Sequence, residues 1–204
     1  VIVVGNLTIG GTGKTPLVKY IAIELQKLGY KPGLVSRGYG GKFKETLKVD
    51  ENTSVKQTGD EAQILSKLNL PFYIDINRVR AVKTIAANHD CDIIISDDGL
   101  QHYNMNRDVE ILVIDGKRRF GNNLLFPAGP LRESKKRIMS VDFIVNNSGP
   151  TQENEHLMNI SPSKFVHLKS GKSYPVEKWP MHKKVHAVAG LGNPGRFFDL
   201  LARL

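Results

Sequence analysis

The residues best suited to chemistry stand near the amino end. Gly10-Gly11-Thr12-Gly13-Lys14-Thr15 follows a short apolar run at residues 1–4 and precedes a stretch with helical spacing. Glycines let backbone N–H groups turn inward and approach an anion closely. A helix starting at the same point presents its positive N-terminal end to that anion. Lys14 then reaches the outer phosphates of ATP, and the Thr15 hydroxyl suits Mg²⁺. The strict form of this loop carries glycine where Thr8 stands, so the match rests on its Gly-Lys-Thr end. Ile9 stands where a related group of membrane-associated switch ATPases carries lysine. The expected nucleotide contacts are Thr8, Ile9, Gly10, Gly11, Thr12, Gly13, Lys14 and Thr15.

Acidic side chains supply the second half of such a site. Residues 91–98 form an apolar strand ending in Asp97 and Asp98. Open α/β sheets bind ligands at the carboxyl ends of their strands. In a regular strand the two carboxylates point to opposite sides, so one serves the metal and the other the site wall. A turn at Asp98-Gly99 is the plainer alternative. Asp60, in Gly59-Asp60-Glu61, reads as a helix N-cap, and a carboxylate there can also take a proton from an attacking hydroxyl. Arginines accompany glycines in 36–41 and 127–133, and Arg132 is the better candidate to stabilise a transferred phosphoryl group because Pro130 and Gly129 stiffen its loop. His102 lines the site or is an ordinary hydrogen-bonded histidine.

These groups need elements to position them. Strands are expected at 1–4, 33–36, 72–74, 93–96, 110–114, 143–145 and 185–189. Helices are expected over 17–28, 60–68 (with Ile64, Leu65 and Leu68 inward), 78–88 and from 195 to the end. The alternation predicts an α/β fold, and the phosphate loop between its first strand and first helix makes it P-loop NTPase-like. It is a mainly parallel sheet with helices on both faces, plus part of a second, smaller α/β lobe. The expected division is a nucleotide-binding core at 1–148, an irregular linker and strand region at 149–184 containing four prolines, and the start of a C-terminal lobe at 185–204.

Composition narrows the partners. The chain of 204 residues carries 29 Lys+Arg against 20 Asp+Glu, a net +9 that favours anionic ligands. One cysteine, Cys91, excludes a disulfide scaffold and a Cys-rich zinc site. The six histidines lack zinc spacing. No interleaving of basic and aromatic residues supports nucleic-acid stacking. Lys135-Lys136-Arg137 reads as a solvated face.

Six ordered motifs together resemble the tetraacyldisaccharide 4′-kinase family of the lipid A pathway. They are residues 4–8 running into 10–16, then 36–41, 59–61, 97–102, 120–122 and 127–133. The resemblance implies transfer of the ATP γ-phosphate, with Mg²⁺, to the 4′-hydroxyl of a tetraacylated disaccharide 1-phosphate, giving lipid IVA. It implies work at the cytoplasmic face of the bacterial inner membrane, on a lipid A precursor. By similarity the catalytic set is Asp60 (the base), Lys14, Asp98 and Arg132. The metal set is Thr15, Asp97, Asp98 and Glu133, and the acceptor side is Arg37, Tyr39, Glu61 and His102. An N-terminal hydrophobic helix of the family is expected before Val1, and its catalytic His partner beyond Leu204. The rival from the residues alone is a nucleotide-driven switch or metallochaperone-type NTPase acting on a protein partner. It accounts for the phosphate loop and the acidic strand end but not for 36–41 or 127–133.

Overall fold

The computed structural model describes residues 1–178, 185–190 and 193–204. It divides into two compact units, Val1–Met158 and Asn159–Leu204. The first is built on an eight-stranded sheet. Its strands are β1 (Ile2–Gly5), β2 (Pro32–Ser36), β3 (Leu47–Lys48), β4 (Phe72–Ile74), β5 (Ile93–Asp97), β6 (Val109–Asp115), β7 (Phe143–Asn147) and β8 (Glu155–Met158). The spatial order is β3-β4-β2-β5-β1-β6-β7-β8. All pairings are parallel except β3 with β4. The expected mainly parallel α/β sheet is therefore present.

The helices of this unit are α1 (Lys14–Lys27), α2 (Val55–Thr58), α3 (Asp60–Ser66) and α4 (Arg78–Asn88). Adjacent strand residues feed opposite faces, as the pleat requires. Val4, Leu34 and Ile95 pack with Leu17, Val18 and Ala22 of α1 and Leu65 of α3. Val35 and Ile94 pack with Ala81 and Ile85 of α4. Val3, with Leu112 and Ile114 of β6, meets Leu7, Leu100, Phe120 and Leu131 from the loops. Gly29, at positive φ, closes α1 as its position suggests, but Leu28 is exposed rather than part of the buried stripe.

Three local expectations change. Ile64 faces outward, and Ala62, Leu65 and Ser66 form the buried side of α3. Asp60 is the first residue of α3, and Gly59 holds the cap position. Residues 185–190 form no strand. The second unit instead contains the antiparallel pair β9 (Lys164–Val166) and β10 (Ser173–Pro175), and α5 (Pro194–Leu201). Part of the expected linker, 179–184, lies outside the described residues. Among the described residues no helix is long and apolar enough to cross a membrane.

Candidate active site

The carboxyl ends of β1 and β5, neighbours in the sheet, bring the first and second groups of candidate residues together. β1 ends at Gly5, and residues 6–13 loop over to α1. Gly10 and Gly13 both have positive φ. A Cβ at Gly13 would collide with the Asn147 side-chain amide, so the position has no room for another residue. The buried side chains of α1 are Lys14, Leu17, Val18 and Ala22. The stripe that seats the helix on the sheet thus also carries Lys14 inward, one turn before Leu17. Lys14 Nζ donates to Asn6 Oδ1 at 3.1 Å and lies 3.3 Å from Asp98 Oδ1.

Asp97 ends β5 as a regular strand residue, but Asp98 takes a left-handed backbone with φ of 53°. This breaks the alternation that would have sent the two carboxylates to opposite sides. Both instead meet the phosphate loop and its helix. The Thr15 hydroxyl donates to Asp97 Oδ2 at 3.4 Å. Asp98 receives Arg132 Nη1 on both oxygens, at 2.8 and 2.9 Å, besides facing Lys14.

The two carboxyls sit in opposite electrostatic states. Asp97 is 2% exposed. Burial pushes its pKa up to about 7, Glu61 and Asp98 add to the rise, and Lys14 opposes it. Burial also acts on Asp98, but the charges of Lys14 and Arg132 outweigh it and hold the carboxyl below the usual range. Asp97 Oδ1 is buried with no hydrogen-bond partner. That atom and the Thr15 hydroxyl are hard oxygen donors of the kind Mg²⁺ takes alongside phosphate oxygens. Among the described residues there is no cluster of three or more His, Cys, Asp or Glu side chains arranged around a metal.

The segment carrying Arg132 is joined to the phosphate loop by backbone. Ile9 N–H donates to Pro130 O at 2.8 Å, and Arg132 N–H to Leu7 O at 2.6 Å. Thr8 and Leu131 form the bridge between them. Glu133 Oε2 accepts from the Tyr103 hydroxyl at 2.5 Å and lies 3.8 Å from Arg137 Nε, while its Oε1 is buried without a partner. Its direct partners are thus Tyr103 and Arg137, not the Asp97–Thr15 pair.

The loop 36–41 and the turn before α3 lie against each other. A Cβ at Gly59 would strike Tyr39 O, and one at Gly41 would strike Gln57 O. This close approach brings Arg37 and Tyr39, both exposed, to the segment bearing Asp60 and Glu61, also exposed. Glu61 is near enough to raise the Asp97 pKa. His102 is half-buried, and its Nε2 has no hydrogen-bond partner. Burial lowers its pKa, and Arg78, Arg107 and Arg37 lower it further, so this cationic corner disfavours the protonated ring.

Sequence reasoning missed four contributors. Asn6 donates to Thr8 O at 2.7 Å while accepting from Lys14, and so shapes the loop from below. Asn147, at the end of β7, donates to Thr12 O at 2.8 Å. Gln101 donates to Asn6 O at 3.0 Å and accepts from Arg132 at 3.4 Å. Arg78 is buried at the start of α4 and reaches Asp98 O at 3.2 Å. Burial lowers its pKa to about 10 against the pull of Asp98 and Asp97. Asn6 and Gln101 stood inside quoted motifs. Arg78 and Asn147 carried no local signal.

Comparison with known proteins places the whole chain in one family. Residues 1–204 match the family profile described as Tetraacyldisaccharide-1-P 4'-kinase, LpxK. A tetraacyldisaccharide 4'-kinase of Shewanella denitrificans is 46% identical over 203 residues, covering 99% of this chain and 61% of that protein. One from Vibrio campbellii is 47% identical over 203 residues, covering 98% and 59%. The chain thus spans about three fifths of the length of these curated relatives. A crystal structure of LpxK from Aquifex aeolicus in complex with ATP superposes with a TM-score of 0.79 at 30% identity, covering 99% of this chain and 66% of that one. With a profile match from the first residue to the last and relatives near 46% identity along almost all of it, this chain belongs to the tetraacyldisaccharide-1-P 4'-kinase family.

Proposed function

We propose that the whole protein transfers the γ-phosphate of ATP to the 4′-hydroxyl of a tetraacyldisaccharide 1-phosphate, at the cytoplasmic face of the inner membrane. The observation that carries this reading is the convergence of Lys14, Arg132 and the Asp97–Asp98 pair beneath the glycine loop. Family membership supports the acceptor and leaves the switch reading without support.

In this account the N–H groups of residues 10–13 and Lys14 take the triphosphate tail. Asp98 holds Lys14 and Arg132 in place beforehand, so no reorganisation is needed when phosphate oxygens arrive. Asp97 and Thr15 would hold Mg²⁺, which when bound neutralises charge between the β- and γ-phosphates. Arg132 faces the equatorial oxygens of the moving phosphoryl group. Asp60, exposed at the head of α3, accepts the proton as the sugar oxygen bonds to phosphorus and the bridging oxygen leaves with ADP. Arg37, Tyr39, Glu61 and His102 bound the acceptor side.

The test is lipid phosphorylation by the full-length protein with ATP, Mg²⁺ and tetraacyldisaccharide 1-phosphate. Asp60→Ala should lower kcat by about 10²–10⁴ with little change in ATP binding. Unchanged turnover removes Asp60 from the base role. ATP hydrolysis without lipid phosphorylation by the unsubstituted protein removes the acceptor.

A further inference from the structure

Residues 120–131 form a loop with an unusual division of labour. Phe120 and Leu131, at its ends, are buried in the core. Leu124, Leu125 and Phe126, at its tip, are 52%, 53% and 65% exposed. Three consecutive large apolar side chains on the outside need a reason. Ile9 is also exposed, and its amide is bonded to Pro130 of the same loop.

The backbone of the tip is already satisfied from within. Phe126 N–H donates to Leu131 O, Leu131 N–H to Leu124 O and Gly129 N–H to Leu125 O, at 2.7–3.1 Å. Leu124 N–H donates to Asn122 Oδ1 at 3.1 Å, and Asn122 Nδ2 to Ala128 O at 2.9 Å. A segment with its polar groups paired in this way can leave water without stranding them.

Charge selects the occupant. From Gly116 to Arg132 the chain has four basic residues and no acidic one; Arg118, Arg119 and Arg132 pair with Asp115, Glu155 and Asp98 from outside the segment, and Lys117 is exposed. Lys135 Nζ lies 5.3 Å from the centre of the Phe120 ring, and Lys136 beside it is exposed. An apolar tip accompanied by the exposed Lys117, Lys135 and Lys136, on a chain of net charge +9, matches the boundary between anionic headgroups and acyl chains. We propose that residues 124–126 insert into an anionic bilayer and set the phosphate loop against the membrane surface. The proposal rests on the lipid-acceptor reading, since it explains how a membrane-resident hydroxyl meets the nucleotide.

The experiment uses the full-length protein and vesicles of phosphatidylglycerol and phosphatidylethanolamine, with neither ATP nor acceptor present. Replacing Leu124, Leu125 and Phe126 together by Ser should lower the partition coefficient by at least about 10-fold. In a separate variant, Phe126→Trp should show fluorescence quenching by lipids brominated on their acyl chains, beyond that of the unsubstituted protein. Tyr20→Trp, on an exposed position of α1, should show none. The triple variant should keep its ATP binding and its kinase activity in detergent micelles, which shows that it folds. Equal partitioning of the two proteins, or no added quenching at position 126, overturns the insertion. Quenching that appears only when the tetraacylated acceptor is supplied overturns it too, because the tip then meets the acceptor's chains. Failure of lipid phosphorylation with quenching intact leaves the loop assignment standing and removes only the acceptor.

Discussion

Asp97 and Asp98 are adjacent in the chain and opposite in character. Arg132 and Lys14 keep Asp98 charged, whereas Asp97 is buried beside an unsatisfied oxygen of its own. A carboxyl with a folded pKa near 7 and an ordinary value of 3.8 binds more protons folded than unfolded across that interval. Its contribution to stability therefore falls as pH rises from about 4 to about 7. Asp97→Asn should raise the stability of the nucleotide-free protein at pH 7.5 by about 1–3 kcal/mol, measured by urea denaturation. The same variant should lose most of the Tm increase that Mg²⁺ and ATP give the unsubstituted protein. A variant both less stable and fully responsive to Mg²⁺ and ATP would contradict the assignment. The acidic pair itself was legible in the sequence, because two carboxylates closing an apolar strand are conspicuous. Their orientation was not. Period-two reasoning holds only while the backbone stays extended, and Asp98 leaves the extended region.

Elements differ in how much of themselves they write into local sequence. The bounds of β4 and α4 follow directly from their apolar spacing. β3 has two residues and α2 has four, too few to show a period or to persist without their neighbours. Residues 185–189 carry strand-forming types yet form no strand, since propensity alone does not create a ladder. β7 shows how an element acts beyond its length. It runs two residues further than its apolar pattern, to Asn146 and Asn147. Asn147 donates to the Thr12 carbonyl and thereby ties the glycine loop to the end of β7. Asn147→Asp keeps the size of the side chain and removes the donor. It should raise KM for ATP by about 10-fold, with a smaller change in kcat, because one buried hydrogen bond is replaced by repulsion between oxygens. Steady-state kinetics at saturating acceptor separate the two effects. Equal loss in KM and kcat would point to damage beyond the loop.

At the scale of the molecule, the distribution of charge governs acid behaviour. Glu155, at the head of β8, accepts from Arg119 and Asn146. The bond from Arg119 leads in holding its pKa down to about 2, against an ordinary 4.5. Stabilisation from this group is complete above about pH 4.5 and disappears as pH falls toward 2. Glu155→Gln should therefore flatten the stability profile between about pH 4.5 and 2, while destabilising the protein by about 1–3 kcal/mol at neutral pH. Thermal melts across that range check it, and a profile identical to the unsubstituted protein would reject it. The fold class was readable because strands and helices alternate over the first unit. The partners of Glu155 were not readable, since Arg119 and Glu155 are 36 positions apart.

The ladder from Leu7 and Ile9 to residues 130–132, and from Leu131 on to Leu124 and Phe126, has a mechanical consequence. These bonds tie residues 124–126 to the phosphate loop by one continuous backbone path. If the lipid contact proposed for the tip alters affinity for ATP, thermodynamic reciprocity requires ATP to alter adhesion to lipid by the same factor.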